Sequence, residues 1–342
     1  MSTQHARPLS RREFLAGLTR VGTAGLLGLH PRPVVAEPLP EVTKLRLTAS
    51  WPGGICIAPK YVAEALLQAE GFTDIHYADG QNFSRQLKLL ASGETDLEIT
   101  FVGPFLTRID AGDPIVIISG GHIGCFELFG TERVHAIRDL KGKTVAVPQL
   151  GTPQHVFLAS MAAYVGLDPQ KDITWVTHAP DEAMQLFAEG KIDAFLGFPP
   201  QPQELRAKQI GHVVVNSALD RPWSQYFCCL VAGNREFVRQ RPVATKRALR
   251  AILKAANVCA LEPERTAEFL VDKGYTKNYS YVLQTMKELP YGKWREYDPE
   301  DTVRFYALRL HEAGMIKSSP QKIIAQGTDW RFLNELKKEL KE

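Results

Sequence analysis

Between residues 44 and 231 the apolar positions switch repeatedly from a period of two to a period near four. Lys44–Ala49 alternates, with Leu45 and Leu47 on one face, and predicts a first strand. Pro59 to Glu70 then carries Val62, Ala65, Leu66 and Ala69 at helical spacing, with proline in the first turn and Gly71 as the stop. Strands at Thr73–Ala78 and Asp96–Phe101 flank a helix that Asn82 caps and Gly93 ends. Pro114–Ser119 is a continuous apolar run, expected of a strand covered on both faces. After Gly130 the rhythm restarts: strands at Thr144–Val147, Ile173–Thr177, Asp193–Phe198 and His212–Asn216 alternate with helices over Thr152–Val165, Asp181–Glu189 and Gln203–Gln209. Tyr226–Val231 reads as one more strand, and from Arg235 onward nearly everything has helical period, starting with a long helix from Pro242 to Leu261.

This order predicts an α/β protein of two lobes, each built on a parallel-type sheet, with a C-terminal helical region. The chain crosses from one lobe to the other near Cys125–Gly130 and returns near Trp223–Leu230, which makes a two-strand hinge. Residues 37–126 and 227–342 are assigned to lobe 1 and residues 127–226 to lobe 2. A ligand in such sheets belongs beyond the carboxyl ends of the strands, in the cleft between the lobes.

The first 36 residues change the picture of charge and location. Ser10-Arg11-Arg12-Glu13-Phe14-Leu15 precedes a modest apolar stretch and Val34-Val35-Ala36, a pattern that resembles a twin-arginine export signal with a cut near Ala36. The apolar stretch is shorter than the ~20 residues that span a bilayer comfortably. Five arginines against one glutamate make this leader +4, and the whole chain is +3, so residues 37–342 sum to −1. The basic balance therefore belongs to targeting, and no nucleic-acid partner is expected. Five cysteines, Cys56, Cys125, Cys228, Cys229 and Cys259, show no spacing of a structural zinc site. Neighbouring strand residues face opposite ways, so Cys228 or Cys229 could approach Cys125 across the hinge as a disulfide; free buried thiols are the other reading.

The run Leu140-Lys141-Gly142-Lys143-Thr144-Val145-Ala146-Val147-Pro148 leads to Gly151-Thr152 at a helix start, then to Gly166-Leu167-Asp168-Pro169. Glu189-Gly190-Lys191-Ile192-Asp193-Ala194 and Pro199-Pro200 follow. With these motifs the chain resembles, over nearly all of residues 43–315, the periplasmic solute-binding proteins of the nitrate, sulfonate, taurine and thiamine-pyrimidine (NMT1/THI5-like) type. The resemblance implies the two-lobe periplasmic-binding-protein (type II) fold, closure of both lobes on one small solute, and an ATP-binding-cassette permease as partner. Two loops depart from the pattern: Gly151-Thr152-Pro153-Gln154-His155 replaces a serine-rich turn of sulfonate binders, and Trp51-Pro52-Gly53-Gly54 replaces an asparagine-rich loop of the thiamine-pyrimidine group.

Five segments are expected to line the cleft. Trp51 can stack on a flat ligand, with Gly53 letting the loop approach closely; a tight turn over a packed indole is the plainer reading. Phe101 and Gly103 end a strand and open a helix whose free N–H groups suit an anion. His122 follows a buried strand and could donate to a carboxylate or sulfonate. With Cys125 and Glu127 it suggests a metal only weakly, because an extended segment points these residues to mixed faces, and no metal is expected. Gly151, Thr152, Gln154 and His155 surround the next helix start, where Thr152 either caps the helix or helps hold an anion. Phe198 is expected as an apolar wall. Lys246, Arg247, Arg250 and Lys254 recur at helical spacing and are expected to form a solvated face, with importer contact the weaker alternative.

The function expected from all this is capture, by a periplasmic monomer without cofactor or catalysis, of a small anionic or aromatic solute (sulfonate, carboxylate or pyrimidine). No G-x-S-x-G elbow, H-E-x-x-H pair or phosphate loop is present. A pyrimidine-synthase-like enzyme is a rival, set aside because that relative carries a cysteine-rich site which this sequence does not display. A ligand-sensing accessory subunit is the other.

Overall fold

The computed structural model describes residues 37–49, 54–80 and 82–340. The leader, together with Trp51 and Gly53, lies outside the described residues. From Leu39 onward the chain forms one compact unit.

Among the described residues, ten strands make two five-stranded sheets. The first contains β1 (Lys44–Ala49), β2 (Asp74–Asp79), β3 (Leu97–Phe101), β4 (Ile115–Ile123) and β10 (Phe227–Asn234), in the order β2-β1-β3-β10-β4. The second contains β5 (Glu127–Gly130), β6 (Lys143–Val147), β7 (Ile173–Thr177), β8 (Ala194–Gly197) and β9 (His212–Asn216), in the order β7-β6-β8-β5-β9. The two-lobe α/β architecture is as expected. The sheets themselves are mixed rather than parallel: β10 runs antiparallel to β3 and β4, and β5 runs antiparallel to β8 and β9. The reason is connectivity. Each lobe receives one strand from the other side of the hinge, and that strand enters without a right-handed helical crossover to set it parallel.

Local chemistry accounts for most element ends. Asn82 Oδ1 accepts from the Arg85 backbone at 3.0 Å, capping the helix Phe83–Ser92. Asn234 does the same for Arg235–Gln240, accepting from Glu236 at 3.1 Å and Phe237 at 3.2 Å. Thr152 is the exception. It sits at the N-cap of Pro153–Tyr164 but its hydroxyl donates to Gln149 O at 2.7 Å, so the expected side-chain cap does not form.

The C-terminal helices join the lobes together. Pro242–Leu261 packs on the helices after β1 and on Arg331–Glu339, while Pro299–Glu312 packs on both Val102–Asp110 and Pro153–Tyr164. The basic residues of Pro242–Leu261 are not a solvated face. Arg250 pairs with Glu70 at 2.7 Å and Glu339 at 3.0 Å, Lys246 with Glu335 at 2.9 Å, and Lys254 with Glu70 at 3.5 Å. The acidic partners come from elements remote in sequence, which helical spacing alone does not reveal. No described helix is long and apolar enough to cross a membrane.

Candidate functional site

Helix Val102–Asp110 leaves the carboxyl end of β3, and Pro153–Tyr164 follows β6; their first turns meet. Gly103 makes the approach possible, because an added Cβ would overlap Val156 Cγ1 and lie 2.8 Å from Phe101 Cε1. Phe101 is 1% exposed and packs on Phe157 (centroids 4.9 Å apart), Tyr306 (5.3 Å) and Phe126 (5.6 Å). Phe198 lies edge-on to Phe126 at 5.8 Å. The expected wall residues thus come together in a shared aromatic cluster that joins the lobes.

Around the second helix start, Thr152 and Gln154 are buried and Gly151 is exposed. His155 Nδ1 accepts from the Gly151 backbone at 3.1 Å, and its ring meets Trp175 edge-on at 4.7 Å. Burial lowers its pKa to about 4, so His155 is a neutral imidazole at neutral pH. The Gln203 amide donates to Glu288 at 3.1 Å, and Arg206 joins buried Glu127 to Glu288, the latter at 2.7 Å, clasping the C-terminal region to the second sheet. A groove of about 630 Å³, lined by Tyr164, Asp168, Gln170, Arg309 and Glu312 among others, opens at the far end of the same junction.

His122 is not isolated at the end of β4. Its ring is 1% exposed and faces Tyr291 edge-on at 5.5 Å. Cys229, on β10, pairs with His122 across the ladder and with Phe101 on the other side. Cys56, from the turn Ile55–Ile57 after β1, and Cys125, from the first crossing, complete a group whose sulfur and imidazole ligand atoms all lie within 4.8 Å of one another. The expectation that His122 and Cys125 face different ways fails because the segment is not extended. Gly124 takes a left-handed φ of +50° against Ala218, folding the chain between them. Glu127 leaves the group for Arg206. The sequence reading also missed Cys56 and Cys229, which stand 66 residues before and 107 residues after His122.

All five cysteines are free thiols, with Cys125 Sγ 3.1 Å from Cys228 Sγ. Burial pushes the Cys125 and Cys228 thiols well above their usual range. Cys229 goes the other way: burial opposes its charge, but thiol hydrogen bonds and the neighbouring His122 imidazolium outweigh it and hold the thiol well below that range. A second buried polar pair lies nearby. Lys60 Nζ donates to Glu98 Oε1 at 2.9 Å and to Thr48 O at 2.8 Å, both side chains being almost wholly buried.

Residues 126–270 match the model of the NMT1-like family. The 4-amino-5-hydroxymethyl-2-methylpyrimidine phosphate synthase THI13 of Saccharomyces cerevisiae is 25% identical, across 72% of this chain and 83% of that protein. The periplasmic nitrate-binding protein NrtA of Synechocystis PCC 6803 superposes with a TM-score of 0.68 at 16% identity, covering 89% of this chain and 90% of that one. The alkanesulfonate-binding protein SsuA of Xanthomonas axonopodis pv. citri, bound to MOPS, gives 0.64 at 18% identity, covering 83% of this chain and 96% of that one. At these identities the structures establish the fold: this chain has the two-lobe periplasmic-binding-protein architecture.

Proposed function

We propose that the chain is an exported solute-binding protein that captures a small anionic or aromatic molecule between its lobes and presents it to an ATP-binding-cassette permease. In this reading the leader is a twin-arginine signal cut near Ala36, the mature protein is a periplasmic monomer, and the lobes follow the boundaries assigned above. The observation that carries it is the meeting of two helix starts, Val102 and Pro153, at the carboxyl ends of β3 and β6 in different lobes. Opening at the two crossings would expose both sets of N–H groups toward the same gap, and a solute touching both would favour closure. Phe101, Gly103, His122, Gly151, Thr152, Gln154, His155 and Phe198 are proposed as the solute contacts, and Trp51 and Gly53 are proposed with them on the sequence alone. Solute binders among the structural neighbours support the class: they include a nitrate-binding and an alkanesulfonate-binding protein. The ligand of this chain is proposed only as a sulfonate, carboxylate or pyrimidine.

The test is a thermal-shift screen of purified protein against nitrate, sulfonates, carboxylates and pyrimidines, each followed for turnover. A stabilising ligand at about 100 times its Kd adds roughly 2.7 kcal/mol, on the order of 5 °C for a chain of this size. A shift from one chemical class without turnover supports capture; a shift accompanied by product formation replaces it with enzymology. That second reading has its own support in the yeast synthases, 24–25% identical over most of the chain.

A further inference from the structure

The buried thiol and imidazole group leaves one strong polar atom without a partner. His122 Nδ1 faces the Gly124 carbonyl at 3.2 Å and the Ile123 carbonyl at 3.4 Å, so Nδ1–H is the donor there and Nε2 is the nitrogen left for other work. Nε2 is buried and has no hydrogen-bond partner. An orphaned nitrogen in a protein interior costs free energy unless something occupies it. Three cysteine sulfurs lie beside it, and Cys56, His122, Cys125 and Cys229 are each no more than 6% exposed.

We propose that Cys56, His122, Cys125 and Cys229 form a binding site for one thiophilic metal ion of the zinc class. Three sulfurs and one imidazole nitrogen are a tetrahedral donor set for such an ion. Around Zn²⁺, with Zn–S of about 2.3 Å, neighbouring sulfurs stand about 3.8 Å apart. The observed ligand atoms lie within 4.8 Å of one another, so about 1 Å of contraction or less closes the shell. The carbonyl bond at Nδ1 is the support that metal-bound imidazoles ordinarily have, and it leaves Nε2 to ligate the ion once the ion displaces its proton. Hard cations are disfavoured, because no carboxylate joins the group.

The four donors come from three pieces of chain: the turn after β1, the end of β4 running into the first crossing, and β10 on the return crossing. An ion held there fills all four positions with protein atoms, leaving none for water, which makes the site structural. It pins both hinge segments to the first lobe. An ion there would claim His122 and withdraw that one residue from the proposed solute contacts, leaving the others whether the cleft captures a solute or turns one over.

The experiment uses the full chain, reduced with a phosphine and stripped with a chelator, then titrated with Co²⁺ and Zn²⁺. Expected is saturation at one equivalent, with thiolate-to-cobalt charge transfer and the intense visible bands of tetrahedral cobalt, both abolished when Zn²⁺ displaces it. The variants Cys56→Ser and His122→Gln should each weaken Zn²⁺ binding by about tenfold or more. Cys259→Ser, a buried thiol outside the group, should leave stoichiometry and spectrum unchanged. Absence of stoichiometric binding, a weak octahedral cobalt spectrum, or unaltered affinity in Cys56→Ser would each overturn the proposal. The spectrum of the unsubstituted protein decides the matter if a variant fails to fold.

Discussion

Two buried clusters lie side by side at the lobe junction, and they are held by different physics. In one, Phe101, Phe126, Phe157 and Tyr306 pack ring against ring, with Phe198 at its edge. In the other, Cys56, His122, Cys125 and Cys229 bring donor atoms together around the unpartnered Nε2. Adjacent residues divide between them: Cys125 belongs to the donors and Phe126 to the rings, while β10 sends Cys229 to one and borders the other through Phe101. Aromatic side chains need only neighbours, so that cluster is complete with the chain's own atoms. Polar groups need partners of the right kind, so the donor cluster is complete only with something added.

The sharpest way to break both clusters at once is Gly124→Ala. Its Cβ would collide with the Ala218 backbone at a left-handed φ of +50°. Relieving that clash must move Cys125 and Phe126 together, and a loss of at least about 4 kcal/mol in urea unfolding is expected. Phe157→Ala separates the two cases. It empties the middle of the aromatic cluster, and about 3–5 kcal/mol should be lost whether or not metal is present. Cys56→Ala in chelator should cost only about 1 kcal/mol, because a small apolar residue replaces a thiol that nothing requires in the empty site. If the aromatic substitution proved mild and the thiol one severe, the contrast drawn between the clusters would be wrong.

A pH dependence is expected outside both clusters, at His155. Its folded pKa of about 4 lies below its unfolded value near 6.5. The unfolded chain therefore binds the proton more readily. The stabilising contribution is fully present above about pH 6.5 and is lost as the pH falls toward about 4. Urea midpoints measured across that window should decline less steeply in His155→Gln, which keeps an acceptor for the Gly151 N–H. Equal slopes in the two proteins would assign the decline to other groups.

How much of this the chain announces depends on whether the signal is local. Lys44–Ala49, Ile173–Thr177 and His212–Asn216 are strands where the alternation places them, and Asn82 caps the helix it precedes. β5 was passed over as part of a crossing. Its four residues, Glu127–Gly130, are too short to show a period, and only pairing with β8 and β9 makes them a strand. Phe101 and Gly103 pack against Phe157 and Val156 of the helix that Gly151, Thr152, Gln154 and His155 open, and Phe198 reaches the same rings through Phe126, because strand exits and helix starts converge in a two-lobe fold.

The sequence by itself determined most of the order of strands and helices and the two-lobe α/β class, since periodicity and punctuation act over a few residues. Only the tertiary structure decided that the sheets are mixed, that the basic helix face is neutralised by Glu70, Glu335 and Glu339, and that Cys56, His122, Cys125 and Cys229 meet. These three facts depend on residues far apart in the chain. They become neighbours through the return of β10, the packing of the C-terminal helices and the turn at Gly124, none of which leaves a fixed spacing to read.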